Sequence, residues 1–188
     1  MALQDIRDVA DLLRPVYDAT KGVDGYASLE VSPTLAHDTD GTVAEALRLF
    51  SELDRPNVMV KVPATPEGIP AVEQLIGHGV NINVTLLFHL GAYRLVREAY
   101  TAGLEHLVKK GGDPSKVASV ASFFVSRVDS AVDALLESKI QNGESGFEHL
   151  LGKAAIANAA LAYRDFQETV ASDRFVSLQA KGAQVQRP

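Results

Sequence analysis

Four apolar runs, each followed by a stretch with helical apolar spacing, predict an α/β chain built on a parallel sheet. The runs hold Glu30, Lys61, Asn83 and Ser122, on average about 31 residues apart, close to the ~30 of one βαβ unit. The chain has 188 residues, whereas a closed (β/α)₈ barrel typically takes ~250. The expected fold is therefore a partial (β/α)₈ barrel of about four parallel strands. One domain is expected over 1–188, with an opening helix over 1–19, flanking helices, and a helical C-terminal segment over 128–188.

Leu3 to Asp18 carries Leu3, Ile6, Val9, Ala10, Leu12 and Leu13 at helical spacing. Tyr26 to Val31 alternates, with Ala27, Leu29 and Val31 on one face and Ser28 and Glu30 on the other. Thr42 to Leu53 reads as a helix with a stripe of Val43, Ala46, Leu47 and Phe50. Val58 to Val62, bounded by Pro56 and Pro63, reads as a strand buried on both faces. A helix from Glu67 to Ile76 stops at Gly77 and Gly79. In the strand Val80 to Leu86, period two sets Asn81, Asn83 and Thr85 against Ile82, Val84 and Leu86. The apolar set belongs under the helices, so the polar set looks into the barrel. A long helix follows over Leu90 to Lys109. It closes at Gly111-Gly112, behind cations that favour a helix C-terminus. The strand Val117 to Val125 puts Ser122 and Phe124 on one face, and Arg127, of opposite parity, in the loop beyond. Helical patterns run from Val128 to Ser138 and from Phe147 to Val170.

Composition narrows the function. Net charge is −6 and the isoelectric point is near 5.3, which disfavours nucleic acid and anionic membranes, since both call for a basic field. A local anion site needs only an arginine or two and backbone N–H groups. Without cysteine there is no disulfide, thiolate zinc site or cysteine nucleophile, which fits a cytoplasmic location. Met1 to Arg14 mixes acids with bases and lacks the apolar core of a signal peptide. No apolar stretch approaches the ~20 residues of a membrane helix. The five histidines lack His-Glu-x-x-His spacing. There is no Gly-x-Ser-x-Gly elbow, Gly-x-Gly-x-x-Gly fingerprint or Walker sequence.

What remains is Lys61, one lysine inside the apolar run Val58 to Val62. Burying an ammonium is costly, and a lysine that sheds its proton is a nucleophile toward carbonyls. By itself the residue could snorkel to water from the strand's end. Glu30 could be a solvated carboxylate, Asn83 and Thr85 a polar core layer, Ser122 merely small, and Arg127 with Asp129 a surface pair. Together, a lysine, carboxylate, amide and hydroxyls at equivalent strand ends suit carbonyl chemistry through an imine. In a parallel barrel those ends form the active site.

The segments Ser28 to Val31, Asn57 to Thr65, Asn81 to Phe88 and Val117 to Val128 resemble transaldolase of the longer bacterial type. The resemblance implies that Lys61 forms the Schiff base with a dihydroxyacetone unit, and that Glu30 and Thr85 hold a proton-relaying water. It assigns Asn83 and Ser122 to sugar hydroxyls and Arg127 to the substrate phosphate, with Phe124 in the substrate pocket. The related fructose-6-phosphate aldolases typically carry glutamine at the place of Glu30 and tyrosine at that of Phe124. The implied partner is a sugar phosphate; no metal or organic cofactor is implied. The family's first two and last two strands, including an aspartate acting as general acid and base, have no counterpart in this sequence. An open half-barrel is expected to expose the outer edges of the Tyr26 and Val117 strands and an inner face with Met59, Val120 and Phe124. That favours a homodimer or larger assembly. Competing readings are a non-catalytic assembly unit, a sugar-phosphate binding module, and a class I sugar-phosphate aldolase.

Overall fold

A computed structural model describes residues 2–188. Its strands β1 (Ala27–Glu30), β2 (Val58–Pro63), β3 (Ile82–Leu87) and β4 (Ser119–Phe123) form one sheet in that order, every pair parallel. Helices α1 (Ala2–Ala19), α2 (Thr39–Leu53), α3 (Gly68–Ile76) and α4 (Leu90–Lys109) alternate with them. After β4 come α5 (Ser126–Gln141), α6 (Ala154–Val170) and α7 (Asp173–Gln179). This is the expected partial barrel: four parallel strands behind a layer of helices.

The core lies between the sheet's outer face and the helices. Val58, Val60 and Val62 of β2, with Ile82, Val84 and Leu87 of β3, are fully buried. Val60, Val62 and the three β3 residues meet Leu75 and Ile76 of α3 and Tyr93, Val96 and Leu104 of α4, also fully buried, while Val58 packs in a second cluster with Ala10, Ala27 and Leu53. Each such side chain contributes about 1.5–3 kcal/mol, so this layer holds the strands in register. Helix starts follow local chemistry. The Asp38 carboxylate accepts from the Gly41 N–H, and the His89 ring Nδ1 accepts from the Ala92 N–H at 3.2 Å. Gly103 lets α4 approach α3: a Cβ there would lie 2.7 Å from the Glu73 carbonyl oxygen.

The structure departs from the sequence expectations in several places. Leu86 does not pack under the helices. The β3–β4 register slips between Val84 and Leu87, Leu86 turns to φ 60°, and Leu87 takes the buried position while Leu86 stays 40% exposed. The helix expected over Phe147 to Val170 is divided. A short 3₁₀ turn at Glu148–Leu150 is followed by Gly152 at φ 67°, and α6 begins only at Ala154.

The expected C-terminal segment is not helical to its end. Beyond α7 the chain makes a turn and runs on without helix, and Arg187 pairs in parallel with Val120, its carbonyl accepting from the Ala121 N–H at 2.8 Å. The outer edge of β4 is thus partly paired, not bare. Met59, expected on an uncovered inner face, is 4% exposed. The tail returns over that end of the sheet, and the Arg187 guanidinium donates across the hollow to the Val23 carbonyl at 2.6 Å.

Candidate active site

Parallel register places Glu30 beside Lys61 and Lys61 beside Asn83, a row across three strands. Residues level with each other in a parallel sheet share a face, so these three side chains leave the inner, concave side. The Lys61 Nζ stands 3.7 Å from Glu30 Oε2, an ion pair without a hydrogen bond. The Ser122 hydroxyl donates to Asn83 Oδ1 at 2.7 Å, and Asn83 Nδ2 donates to the Ser28 hydroxyl at 3.2 Å. The sheet's curvature carries that bond from β3 over β2 to β1. Thr85, level with Pro63 and next above Asn83 on the same face, is 1% exposed, and its hydroxyl has no protein partner.

Lys61 is not the buried ammonium that its apolar run suggests. Its side chain is 31% exposed and that of Glu30 47% exposed. The reason is topological: the outer face of β2 is sealed by helices, but among the described residues no strand stands opposite its inner face. In this setting an ion pair contributes only ~0–1 kcal/mol. The carboxylate still offers a proton acceptor near the amine.

Two predicted residues occupy other elements than expected. Phe124 lies just past β4, its N–H donating to the Leu87 carbonyl at 2.8 Å. Arg127 is in the first turn of α5, not in a loop, because the helix starts at Ser126. Its guanidinium carbon sits 4.8 Å from the Phe124 ring centroid, and that ring lies 5.0 Å from Phe88. None of the described side chains of α5 is buried. Polar anchors hold its outer side: Asp129 accepts from the Ala155 N–H at 2.8 Å and Asp133 from the Gly152 N–H at 3.0 Å.

Three residues at or near the site went unmarked in the sequence. Ser28 could have been found, since it shares parity with Glu30. Phe88 and Arg187 act through distant partners and left no local signal. Asn81, grouped with Asn83 by parity, serves the other end of the strand. Its amide donates to the Pro56 and Val58 carbonyls and its Oδ1 accepts from the Ala118 N–H at 2.9 Å. A hollow of about 590 Å³ also lies toward that lower end, between Tyr26, Met59, Val120 and Arg187. The row of Glu30, Lys61 and Asn83 opens above it.

The family model described as Transaldolase/Fructose-6-phosphate aldolase matches residues 1–188. Saccharopolyspora erythraea transaldolase is 54% identical over 188 residues, all of this chain and 50% of that protein. Thermobifida fusca transaldolase is 54% identical over 184 residues, 98% of this chain and 49% of that protein. Trichodesmium erythraeum transaldolase is 47% identical over 192 residues, again covering 50% of its length. The chain spans about half the length of the curated relatives it matches. It belongs to the transaldolase/fructose-6-phosphate aldolase family.

Proposed function

We propose that this chain carries the imine-forming part of a transaldolase site, acting on ketose phosphates. The observation that carries the reading is the Glu30–Lys61–Asn83 row, with Lys61 3.7 Å from a carboxylate and Asn83 tied to two hydroxyls. Lys61 Nζ adds to the ketone carbon of the donor, and loss of water gives the protonated imine. The bond between the third and fourth carbons then breaks, its electron pair entering the imine to give an enamine. An aldose phosphate leaves as the hydroxyl on the fourth carbon gives up its proton. Addition of the enamine to an acceptor aldehyde reverses those steps, and hydrolysis frees Lys61. In the pentose phosphate pathway this moves a dihydroxyacetone unit from a ketose to an aldose phosphate.

Glu30 and Thr85 hold the water that relays protons. The buried, unpaired Thr85 hydroxyl supports that role, because such a group costs about 1–3 kcal/mol unless water or substrate satisfies it. Asn83 and Ser122 take sugar hydroxyls, and Arg127, steadied on Phe124, takes the phosphate. The test is borohydride reduction in the presence of fructose 6-phosphate, followed by peptide mapping. A single adduct on Lys61, lost in Lys61→Ala, is expected. An adduct on Lys109, Lys110 or Lys153 that persists in Lys61→Ala would sink the assignment.

A further inference from the structure

We propose that the outer helical layer carries a second anion site, for a phosphate group, centred on Arg97 in the hollow between α4, α6 and α7. The hollow measures about 340 Å³ and is lined by Arg94, Arg97 and Thr101 of α4, Thr169 of α6, and Ser172 and Arg174 around the start of α7. It lies on the helical side of the sheet, away from the Glu30–Lys61–Asn83 row, and the imine chemistry makes no use of it. Arg97 is its unmatched cation. Arg94 donates from Nε to Asp165 at 2.7 Å, and Arg174 holds Glu98 at 2.6 Å and Glu105 at 2.7 Å. Glu168, also on the rim, stands 3.8 Å from Arg164. Two carboxylates thus go to the one Arg174 guanidinium, and among the described residues none pairs with Arg97. Asp165 is near enough to feel the Arg97 charge, yet its hydrogen bonds run to Arg94.

The setting of Arg97 sharpens its demand for a counter-ion. The guanidinium lies over the Tyr93 ring, 5.1 Å from its centroid, and its Nε and Nη1 are enclosed without an acceptor. A cation stripped of water on one side and left unpaired is costly until an anion offsets it. The donors around the hollow select the kind of ligand. The Thr101 and Thr169 hydroxyls donate to the Arg97 and Asp165 carbonyls at 2.9 and 3.0 Å, and that of Ser172 to the Thr169 carbonyl at 2.7 Å. With those protons spent, the side-chain donors left are the N–H groups of the arginines. A neutral polyol gains little from them, whereas a tetrahedral oxyanion offers several acceptor oxygens and the missing charge. Inorganic phosphate and the phosphoryl end of a phosphomonoester share that chemistry, and the hollow has room for either.

Amide NMR of the chain, titrated with inorganic phosphate against chloride at constant ionic strength, tests the site. A second titration uses fructose 6-phosphate on Lys61→Ala, where no imine forms at that lysine. The Arg97, Thr101, Thr169 and Ser172 amides should shift and saturate, and at about tenfold excess over the dissociation constant Tm should rise by about 3 °C or more. Arg97→Met keeps an apolar stem on Tyr93 and removes the unpaired charge. It should abolish both effects while leaving Tm without phosphate unchanged or higher. Saturating shifts at these amides with inorganic phosphate alone make the free ion the ligand, and shifts with fructose 6-phosphate as well extend it to a phosphomonoester. No shift there with either ligand overturns the proposal, as do shifts that persist in Arg97→Met. Should Arg97→Met not fold, the position of the shifted amides in the unaltered chain decides. Shifts around Arg127 report the substrate site, so failure of this proposal and failure of the imine assignment are read separately.

Discussion

Asn83 is the pivot of the site at the level of single residues, because its amide uses both ends, accepting from Ser122 and donating to Ser28. Asn83→Ala leaves two hydroxyls without that partner and takes an amide from the sugar. With each hydrogen bond contributing about 0.5–1.5 kcal/mol, apparent affinity for fructose 6-phosphate should fall about 2- to 10-fold. Adduct yield against ketose concentration measures it; an unchanged curve would remove Asn83 from the sugar site. Asp165 gives a pH prediction away from the chemistry. It is buried, and the Arg94 hydrogen bond at 2.7 Å holds its carboxyl below the usual carboxylate range, with Arg97 adding to the effect. A depressed folded value means the stabilisation is present above the unfolded value of about 3.9 and is lost as pH falls through the folded one. Urea melts should show a stability gap between the protein and Asp165→Asn at pH 7 and 5 that closes toward pH 3. A gap independent of pH would show that shape, not charge, matters there.

Element by element, the close approach of α3 and α4 depends on Gly103. Gly103→Ala would force a Cβ against the Glu73 carbonyl and Ile76, backbone and core together, and should cost about 1–3 kcal/mol by chemical denaturation. Leu86 makes the opposite case. A non-glycine residue at φ 60° carries roughly 1–2 kcal/mol of backbone cost, and this one, 40% exposed, offsets it only in part. Leu86→Gly should therefore hold or raise stability, while Leu86→Val should lower it by about 1 kcal/mol or more. The same contrast explains what could be read from sequence. Strand order and the Glu30–Lys61–Asn83 row were legible because period two and βα spacing are local properties of the chain. The slip at Leu86 was not, since it arises where β3 meets β4: Leu87 faces Phe123, 36 residues on by chain and adjacent only in space. The break before α6 had a local sign in Gly146 and Gly152, both at positive φ, which the apolar pattern from Phe147 onward masked.

On the scale of the whole molecule, the sheet supplies a lysine and its neighbours, while the inner side that would enclose them stays open. That is why Lys61 is about a third exposed despite its apolar run, and it could not be read from the run itself, because what seals a strand's second face is a distant part of a barrel. Imine formation needs the amine and a ketone. Cleavage and transfer further need a proton carrier within reach of the breaking bond and exclusion of water. Groups that act as a unit lose most of their rate together. The most direct test mixes the isolated chain with excess fructose 6-phosphate, quenches with borohydride over time, and counts glyceraldehyde 3-phosphate released per chain. The account predicts an adduct on Lys61 that accumulates while no more than about one aldose phosphate is released per chain. Rapid multiple turnover, or no adduct at any ketose concentration, would contradict it.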